Sequence, residues 1–324
     1  MTRPVGTAES IQHAVDVIRR GGLAAFPTET VYGLGADASN PLGVARIFEA
    51  KKRPSHHPLI VHLASADLLP AWARRIPDVV RTLADRFWPG PLTLILQRHS
   101  SVPYGVTGGQ ETVGLRVPDH PLALALLAAA NRGIAAPSAN RFGRISPTCA
   151  SHVVAELGGS VDYVLDGGPC AVGLESTILD LSSGRPRLLR PGAISPEAIA
   201  EVLGELPASR NSQSPRVPGD LAAHYAPDTP AQLVDGQQLE VLAEALAQTG
   251  RTVAVLARRP ASRPLSACHW LSLPDDPGRY GQVLYARLRE LDAVGCDRLL
   301  IQVPPVDGAW AAVHDRLRRA AAAR

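Results

Sequence analysis

The chain has 324 residues, enough for two domains that each bury a sizeable core. Its hydrophobic content of 45%, charged content of 19% and net charge of +3 predict a soluble globular protein, and they argue against a broad basic field for stable nucleic-acid binding. The four cysteines form no CxxC pair, and the N-terminus lacks an apolar signal-peptide core. The longest apolar run (122–130) is shorter than the roughly 20 residues that cross a bilayer. We therefore expect a cytoplasmic protein with no membrane partner.

Apolar spacing predicts alternating helices and strands over the first 205 residues. The first helix follows a Thr7 cap and ends at Gly21-Gly22. Strands are predicted over 23–27, 59–63, 92–97, 112–117, 134–137, 163–166, 176–181 and 186–190, and helices over 41–52, 65–73, 77–87, 120–131, 148–157 and 195–203. The alternation predicts an α/β sheet with flanking helices. The strands at 92–97 and 112–117 are too close for a helical crossover, so part of the sheet is predicted to be antiparallel.

The pattern breaks down after residue 205 and then resumes. Residues 206–230 are rich in Pro, Ser and Asn, a composition typical of a linker. Beyond them strands are predicted over 231–234, 252–257, 268–272 and 298–303, and helices over 238–248, 279–294 and 308–323. The predicted organisation is therefore a domain over 1–205, a linker over 206–230 and a small α/β domain over 231–324.

Two segments near the start point to a ligand site. Residues 26–35, FPTETVYGLG, combine hydroxyls, a carboxylate and close glycines, as is typical where a strand ends at a ligand. Residues 51–54, KKRP, hold Lys51 and Lys52, the only lysines among 33 basic residues, beside Arg53. A Lys–Arg pair favours a phosphate, because it joins charge with bidentate hydrogen bonding. A solvated helix end is the alternative.

Hydroxyl-bearing segments also mark two later strand ends, 137–140 (PSAN) and 173–177 (GLEST). A turn is the common explanation for one such segment, but three suggest a shared cleft. His62 interrupts an apolar strand, for which ligand contact, a core histidine, or a metal cluster with His56 and His57 are the alternatives.

Arginines within apolar strands need an anionic partner. Arg116 is such a residue, and either an internal Asp or Glu or a substrate carboxylate would satisfy it. Arg190 raises the same question at another strand end. Walker, dinucleotide-binding and GxSxG motifs are missing from the sequence. From the residues alone, we predict an α/β cleft for a small acid and a phosphate compound.

The ordered motifs FPTETVYGLG, KKRPSHHPLIVH, FWPGPLTLIL, LRVPDHP, APSANRFGRISPT, LESTILDL and LLRPGAIS resemble the YrdC-type threonylcarbamoyl-AMP synthases. The match covers about residues 8–205, and the segment from VPGDLAAHYAP onward resembles the long, two-domain form of the family. The resemblance implies a YrdC-like open twisted mixed sheet with flanking helices, followed by a smaller Rossmann-like α/β domain. It also implies a nucleotidyltransferase that joins L-threonine, bicarbonate and ATP and releases pyrophosphate, for threonylcarbamoyladenosine modification of tRNA.

The family pattern assigns residues to both substrates. The L-threonine set is Thr30, His62, Arg116, Ser176 and the backbone of Ala136. The ATP set is Lys51, Arg53, His57, Thr112, Ser138, Asn140, Ser146, Arg190 and, from the linker, Tyr225. Two departures stand out: His57 replaces the asparagine of many relatives, and the linker begins SPRV, at 214–217, in place of SPGM. For Tyr225, a lid over the nucleotide and a static strut are the alternatives.

This chemistry needs positioning and cationic stabilisation, and no covalent nucleophile. The resemblance implies Mg2+ held mainly by the ATP phosphates, with no tightly bound protein metal. The product would pass to the downstream tRNA threonylcarbamoyl-transfer machinery, and direct stable binding of tRNA is left open. An RNA-binding module and a carbamoyl-transfer protein of the same fold are the alternatives, against which stand the 4% aromatic content and the lack of zinc-knuckle segments.

Overall fold

The structure is a computed structural model that describes residues 7–322. Its internal contacts divide the chain into two compact units. The first unit runs through Phe142 and adds Pro147–Ala171 and Glu175–Asp220, and the second comprises Gly143–Ser146, Val172–Leu174 and the chain from Leu221. Within the described residues, no helix combines the length and the apolar character that crossing a bilayer requires.

The first unit is built around one mixed sheet. Its helices are α1 (Ala8–Arg19), α2 (Pro41–Lys51), α3 (Leu69–Trp72), α4 (Asp78–Phe87), α5 (Tyr104–Thr107), α6 (Pro121–Ala130), α7 (Ala150–Leu157) and α8 (Pro196–Leu203). Its strands are β1 (Ala24–Phe26), β2 (Gly33–Asp37), β3 (Ile60–His62), β4 (Ala73–Arg74), β5 (Leu92–Arg98), β6 (Thr112–Arg116), β7 (Ile134–Ala135), β8 (Tyr163–Val164), β9 (Thr177–Asp180), β10 (Arg187–Arg190) and β11 (Ala208–Ser209). The strand order is β11-β10-β9-β5-β6-β3-β7-β2-β1-β8, and β4 pairs with β5.

The predicted mixed sheet is confirmed. β5 and β6 are antiparallel, with Leu94 opposite Leu115, whereas β3 and β6 are parallel. The predicted Thr7 cap of α1 is also confirmed, because its side chain accepts a hydrogen bond from the Ser10 N–H at 3.2 Å. Buried apolar side chains of α1 and α6 pack in one cluster with Phe26, and a second, larger cluster contains buried side chains of β2, β3, β5 and β6.

The segment 33–37 forms a strand, β2, that the sequence analysis does not predict. Gly33 and Gly35 lie in β2, which forms an antiparallel pair with β1. A Cβ atom at Gly35 would lie 2.8 Å from the Phe26 ring and 3.0 Å from the Ile134 side chain. The glycines therefore permit close packing of strands. The polar part of the segment, residues 27–32, remains as the loop between β1 and β2.

The stretch predicted as a linker begins as part of the first unit. β11 pairs with β10, and Val217 is buried with Ile60, Ile95, Ile178 and Leu189. Arg216 fixes the segment, since its backbone N–H donates to Gln110 Oε1 at 2.8 Å and its guanidinium donates to the Gly108 carbonyl at 2.9 Å. Residues 208–218 thus cover part of one sheet face.

The second unit is a parallel α/β domain. Its elements are β12 (Ala231–Val234), α9 (Leu239–Gln248), β13 (Val253–Ala257), β14 (Cys268–Ser272), α10 (Pro277–Ala293), β15 (Arg298–Gln302) and α11 (Ala311–Ala320). The strand order is β12-β15-β13-β14, and every pair is parallel. Buried aliphatic side chains of α9, β13 and β15 form its core. The predicted Rossmann-like α/β architecture is confirmed.

Candidate active site

Arg116 is the centre of a buried polar cluster in the first unit. Because β3 and β6 are parallel and pair His62 with Arg116, both side chains lie at the same edge of the sheet. The Arg116 guanidinium donates to Thr30 Oγ1 at 2.9 Å and to the Gly90 carbonyl at 3.1 Å. Its Nη2 atom lies 2.5 Å from Glu29 Oε1. The internal carboxylate considered as the alternative partner of Arg116 is therefore Glu29.

Burial determines the charge of His62. Burial and the neighbouring Arg116 guanidinium lower the pKa of His62 to about 3, so the imidazole is neutral at pH 7. Phe26 contacts this ring edge to face, with centroids 6.0 Å apart. His62 is thus a neutral hydrogen-bonding group beside a cation.

The depressed pKa of His62 predicts acid sensitivity. An unfolded histidine takes up its proton near pH 6.5 and the folded one only near pH 3, so the unfolded state binds more protons in between. The free energy of unfolding should therefore fall as the pH drops through this window, by at most about 1.4 kcal/mol per pH unit from this group. Urea denaturation across pH 3–7 measures it, and His62→Gln should flatten the slope. The exposed His269, replaced in the same way, controls for loss of a histidine; an unchanged slope in His62→Gln would contradict the assignment.

Ser176 lies two strands away from Arg116 and contacts an ATP-set residue. Its Oγ atom is 2.7 Å from Thr93 Oγ1 on β5, the strand between β9 and β6. The Arg190 guanidinium donates to Ser176 Oγ and to the Ser176 carbonyl, both at 3.0 Å. Arg190, which is assigned to ATP, therefore contacts Ser176, which is assigned to threonine. The two predicted sets of residues meet at this contact. Ala136 follows β7, and its N–H donates to the Ile60 carbonyl at 3.0 Å.

Lys51 is buried at the end of α2. Its Nζ atom donates to the carbonyls of Ser138 and Asn140, both at 2.5 Å, so three predicted ATP-site residues lie together. Burial, followed by the nearby Arg53 guanidinium, lowers the pKa of Lys51 well below its usual range. Only 1% of Lys51 and 8% of Arg53 is exposed, which excludes the solvated helix end for both. An incoming anion would favour the charged ammonium.

Arg53 and His57 share an aromatic neighbour. The Arg53 guanidinium lies 5.6 Å from the Phe142 ring centroid and donates to the Pro58 carbonyl at 2.8 Å. His57 packs against the same ring at 5.0 Å. Burial and Arg53 lower the pKa of His57 to about 4. Within residues 7–322, no group of three or more His, Cys, Asp or Glu side chains is arranged to hold a metal ion, so the proposed histidine cluster finds no support there.

Thr112 lies apart from these groups, at the start of β6. It lines a shallow depression with Ile60 and Gly114, which is bordered by Arg216 and Val217 of the covering segment. Thr112 therefore lies on the sheet face that residues 208–218 cover. Its role in ATP binding stays a prediction.

Ser146 and Tyr225 belong to the second unit and are described within it. Ser146 is fully buried. The Tyr225 ring stacks on Tyr285 with centroids 5.7 Å apart, and the Arg316 guanidinium lies 5.4 Å from it. These contacts are those of the strut alternative, and the lid over the nucleotide stays a prediction.

Sequence reasoning missed Glu29 and Thr93. Glu29 stood within the singled-out FPTET motif but received no role, although the need of Arg116 for an anion was a usable signal. Thr93 lies in the apolar run LTLIL, where one hydroxyl gives no signal until β9 is known to lie beside it.

Comparisons with known proteins agree on one family. The Sua5/YciO/YrdC family model, described as telomere recombination, matches residues 16–192, and the model for the threonylcarbamoyl-AMP synthase C-terminal domain matches residues 194–322. The threonylcarbamoyl-AMP synthase of Pyrococcus abyssi is 41% identical over 97% of this chain and 94% of its own length. That of Bacillus subtilis is 41% identical over 97% and 93%, respectively.

A solved structure extends the likeness to three dimensions. The crystal structure of P. abyssi Sua5 complexed with L-threonine superposes with a TM-score of 0.90 at 39% identity, covering 96% of this chain and 94% of that one. The fold and site thus define a YrdC-type nucleotidyltransferase with an added C-terminal α/β domain. The chain belongs to the threonylcarbamoyl-AMP synthase family, in its two-domain form.

Proposed function

We propose that the protein condenses L-threonine, bicarbonate and ATP into threonylcarbamoyl-AMP and releases pyrophosphate. The product would supply the cytoplasmic machinery that transfers the threonylcarbamoyl group to tRNA. The observation that carries the proposal is the polar cluster at one edge of the sheet. It joins a guanidinium (Arg116), a hydroxyl (Thr30) and a neutral imidazole (His62), groups that suit the carboxylate and hydroxyl of a small amino acid.

The ATP set supports the second half of the proposal. Lys51, Arg53 and Arg190 are all buried, and buried cations favour an anionic partner. Arg190 contacts Ser176 of the threonine set, so a phosphate held by Arg190 would lie beside the bound amino acid. This placement suits attack of a threonine-derived carbamate on the α-phosphorus, a step that depends on orientation and charge.

Mg2+ would enter with ATP, held mainly by the phosphates, where it would neutralise developing charge on the phosphate oxygens. The described residues offer no acidic or histidine cluster for a resident ion, so we assign no protein ligand to it. Lys51, Arg53 and Arg190 would hold the phosphate oxygens that the ion leaves open.

The reaction is tested by pyrophosphate release from ATP in the presence and absence of threonine and of bicarbonate. We expect release to require both, because the carbamate that attacks ATP contains both. ATP turnover that is indifferent to threonine would contradict the proposal. Salt-dependent tRNA binding without such turnover would favour the RNA-binding alternative. Carbamoyl transfer that does not need threonine would favour the alternative of a carbamoyl-transfer protein.

A further inference from the structure

Several buried polar atoms in and beside the threonine set form no hydrogen bond within the described residues. Within residues 7–322, both carboxylate oxygens of Glu29, Nη2 of Arg116 and Nδ1 of His62 have no hydrogen-bond partner. All three residues are at most 5% exposed. Unpaired buried polar atoms are rare in folded proteins, and a cluster of them calls for an explanation.

The ion pair between Glu29 and Arg116 leaves hydrogen-bonding capacity on both groups. It places opposite charges 2.5 Å apart, yet no N–H of Arg116 forms a hydrogen bond with a Glu29 oxygen. A buried ion pair gains from its charges only when hydrogen bonds also satisfy the remaining polar atoms. This pair is therefore arranged to accept further partners, hydrogen-bond donors on the Glu29 side and acceptors on the Arg116 side.

A zwitterion has this pattern. Its ammonium group can donate three hydrogen bonds, and its carboxylate can accept hydrogen bonds from other groups. The hydroxyl of threonine can both donate and accept. We propose that Glu29 binds the ammonium group of L-threonine while Arg116 binds its carboxylate. The inference rests on the proposed function and adds to the threonine site a residue that the family pattern did not assign.

Among the described residues, Arg116 is the cation that forms an ion pair with Glu29. Burial and Glu29 itself raise the pKa of the Cys170 thiol to about 12. Burial lowers the pKa of His120, so thiol and imidazole are both neutral at pH 7. Arg116 supplies the positive charge. Once Arg116 turns to a substrate carboxylate, the ammonium group replaces that charge beside Glu29.

Glu29 also supplies the proton acceptor that the reaction needs. An ammonium nitrogen has no free electron pair, so the amine must lose a proton before it can bond to carbon. In the step we assign, an N–H bond of the ammonium breaks, its electron pair stays on nitrogen, and the proton forms an O–H bond with Glu29. The products are a neutral amine and a neutral carboxylic acid, and the charges cancel on both sides.

The test compares two ligands and two proteins. L-Threonine and its analogue 2,3-dihydroxybutanoate, in which a hydroxyl replaces the ammonium, are titrated by calorimetry into the full-length wild-type and Glu29→Gln proteins. We expect Glu29→Gln to weaken threonine binding by about 10- to 150-fold, the range for a hydrogen bond to a charged group, and to change binding of the analogue little. A purely structural role would weaken both ligands alike.

Equal losses for both ligands, or an unchanged preference for threonine, would overturn the proposal. ATP binding reports whether the variant is folded, and Glu29→Asp, which keeps the charge, should retain the preference if Glu29→Gln does not fold. Glu49→Gln, an exposed carboxylate on α2, is the matched control and should bind both ligands as wild type does. A wild-type protein that binds ATP but not threonine would overturn the proposed function and this inference together.

Discussion

Replacing Arg116 by Met should abolish threonine binding and lower the free energy of unfolding by about 3–5 kcal/mol, the cost of leaving one member of a buried ion pair without its partner. The reason is Glu29, whose carboxylate lies 2.5 Å from Arg116 Nη2 and would remain buried without a neighbouring cation. The hydrogen bonds from Arg116 to Thr30 Oγ1 and to the Gly90 carbonyl would be lost as well. Urea denaturation and threonine calorimetry measure the two effects.

A double variant separates these effects. Arg116→Met combined with Glu29→Leu removes both charges, and it should recover much of the lost stability but none of the threonine affinity. Arg46→Met is the matched control, because Arg46 pairs with Asp162 at a half-exposed position, and such pairs contribute about 0–1 kcal/mol. Threonine binding that survives in Arg116→Met would show that Arg116 serves only the internal ion pair.

Lys51→Met should weaken ATP binding by about 1.5–3 kcal/mol, the range for hydrogen bonds to charged groups. The substitution keeps most of the apolar length of the buried side chain but removes the Nζ group that donates to the Ser138 and Asn140 carbonyls. We expect the loop at 138–140 to loosen, since those carbonyls lose their donor. Calorimetry with a non-hydrolysable ATP analogue gives the affinity.

The next residue in the chain provides the control. Lys52 has the same side chain, but it is exposed and adopts a left-handed backbone conformation (φ 51°) that directs the chain away from α2. Lys52→Met should leave ATP affinity unchanged. Equal affinity losses in both variants would indicate a general electrostatic attraction, and no loss in either would remove Lys51 from the ATP site.

Much of the fold follows from the sequence because its elements carry clear periodicity. The helices at 41–52 and 77–87 and the antiparallel pair at 92–97 and 112–117 were predicted to within a few residues. β2 was missed because GLGAD carries little of the β-branched, alternating pattern by which strands are recognised. Its strand character comes from pairing with β1 and β7, which is tertiary information.

The site was harder to predict than the fold. His62 and Arg116 were singled out because polar groups in apolar strands need partners, and Thr30 was assigned from the family pattern. The structure brings these three residues together. Which anion faces Arg116 depends on how the loop at 27–32 folds back across the sheet, and local sequence does not determine that. The same reason hid the link from Arg190 to Ser176, which joins the ends of two neighbouring strands.

Gly35 carries a constraint that reaches beyond the strand it belongs to. Its bare backbone lets the Phe26 ring lie against β2, and that ring in turn contacts the His62 imidazole edge to face. Any larger residue at this position must displace the ring, and the displaced ring meets a side chain of the site. The tolerance of position 35 to substitution is therefore set by the shape of the site, although no ligand needs to touch it.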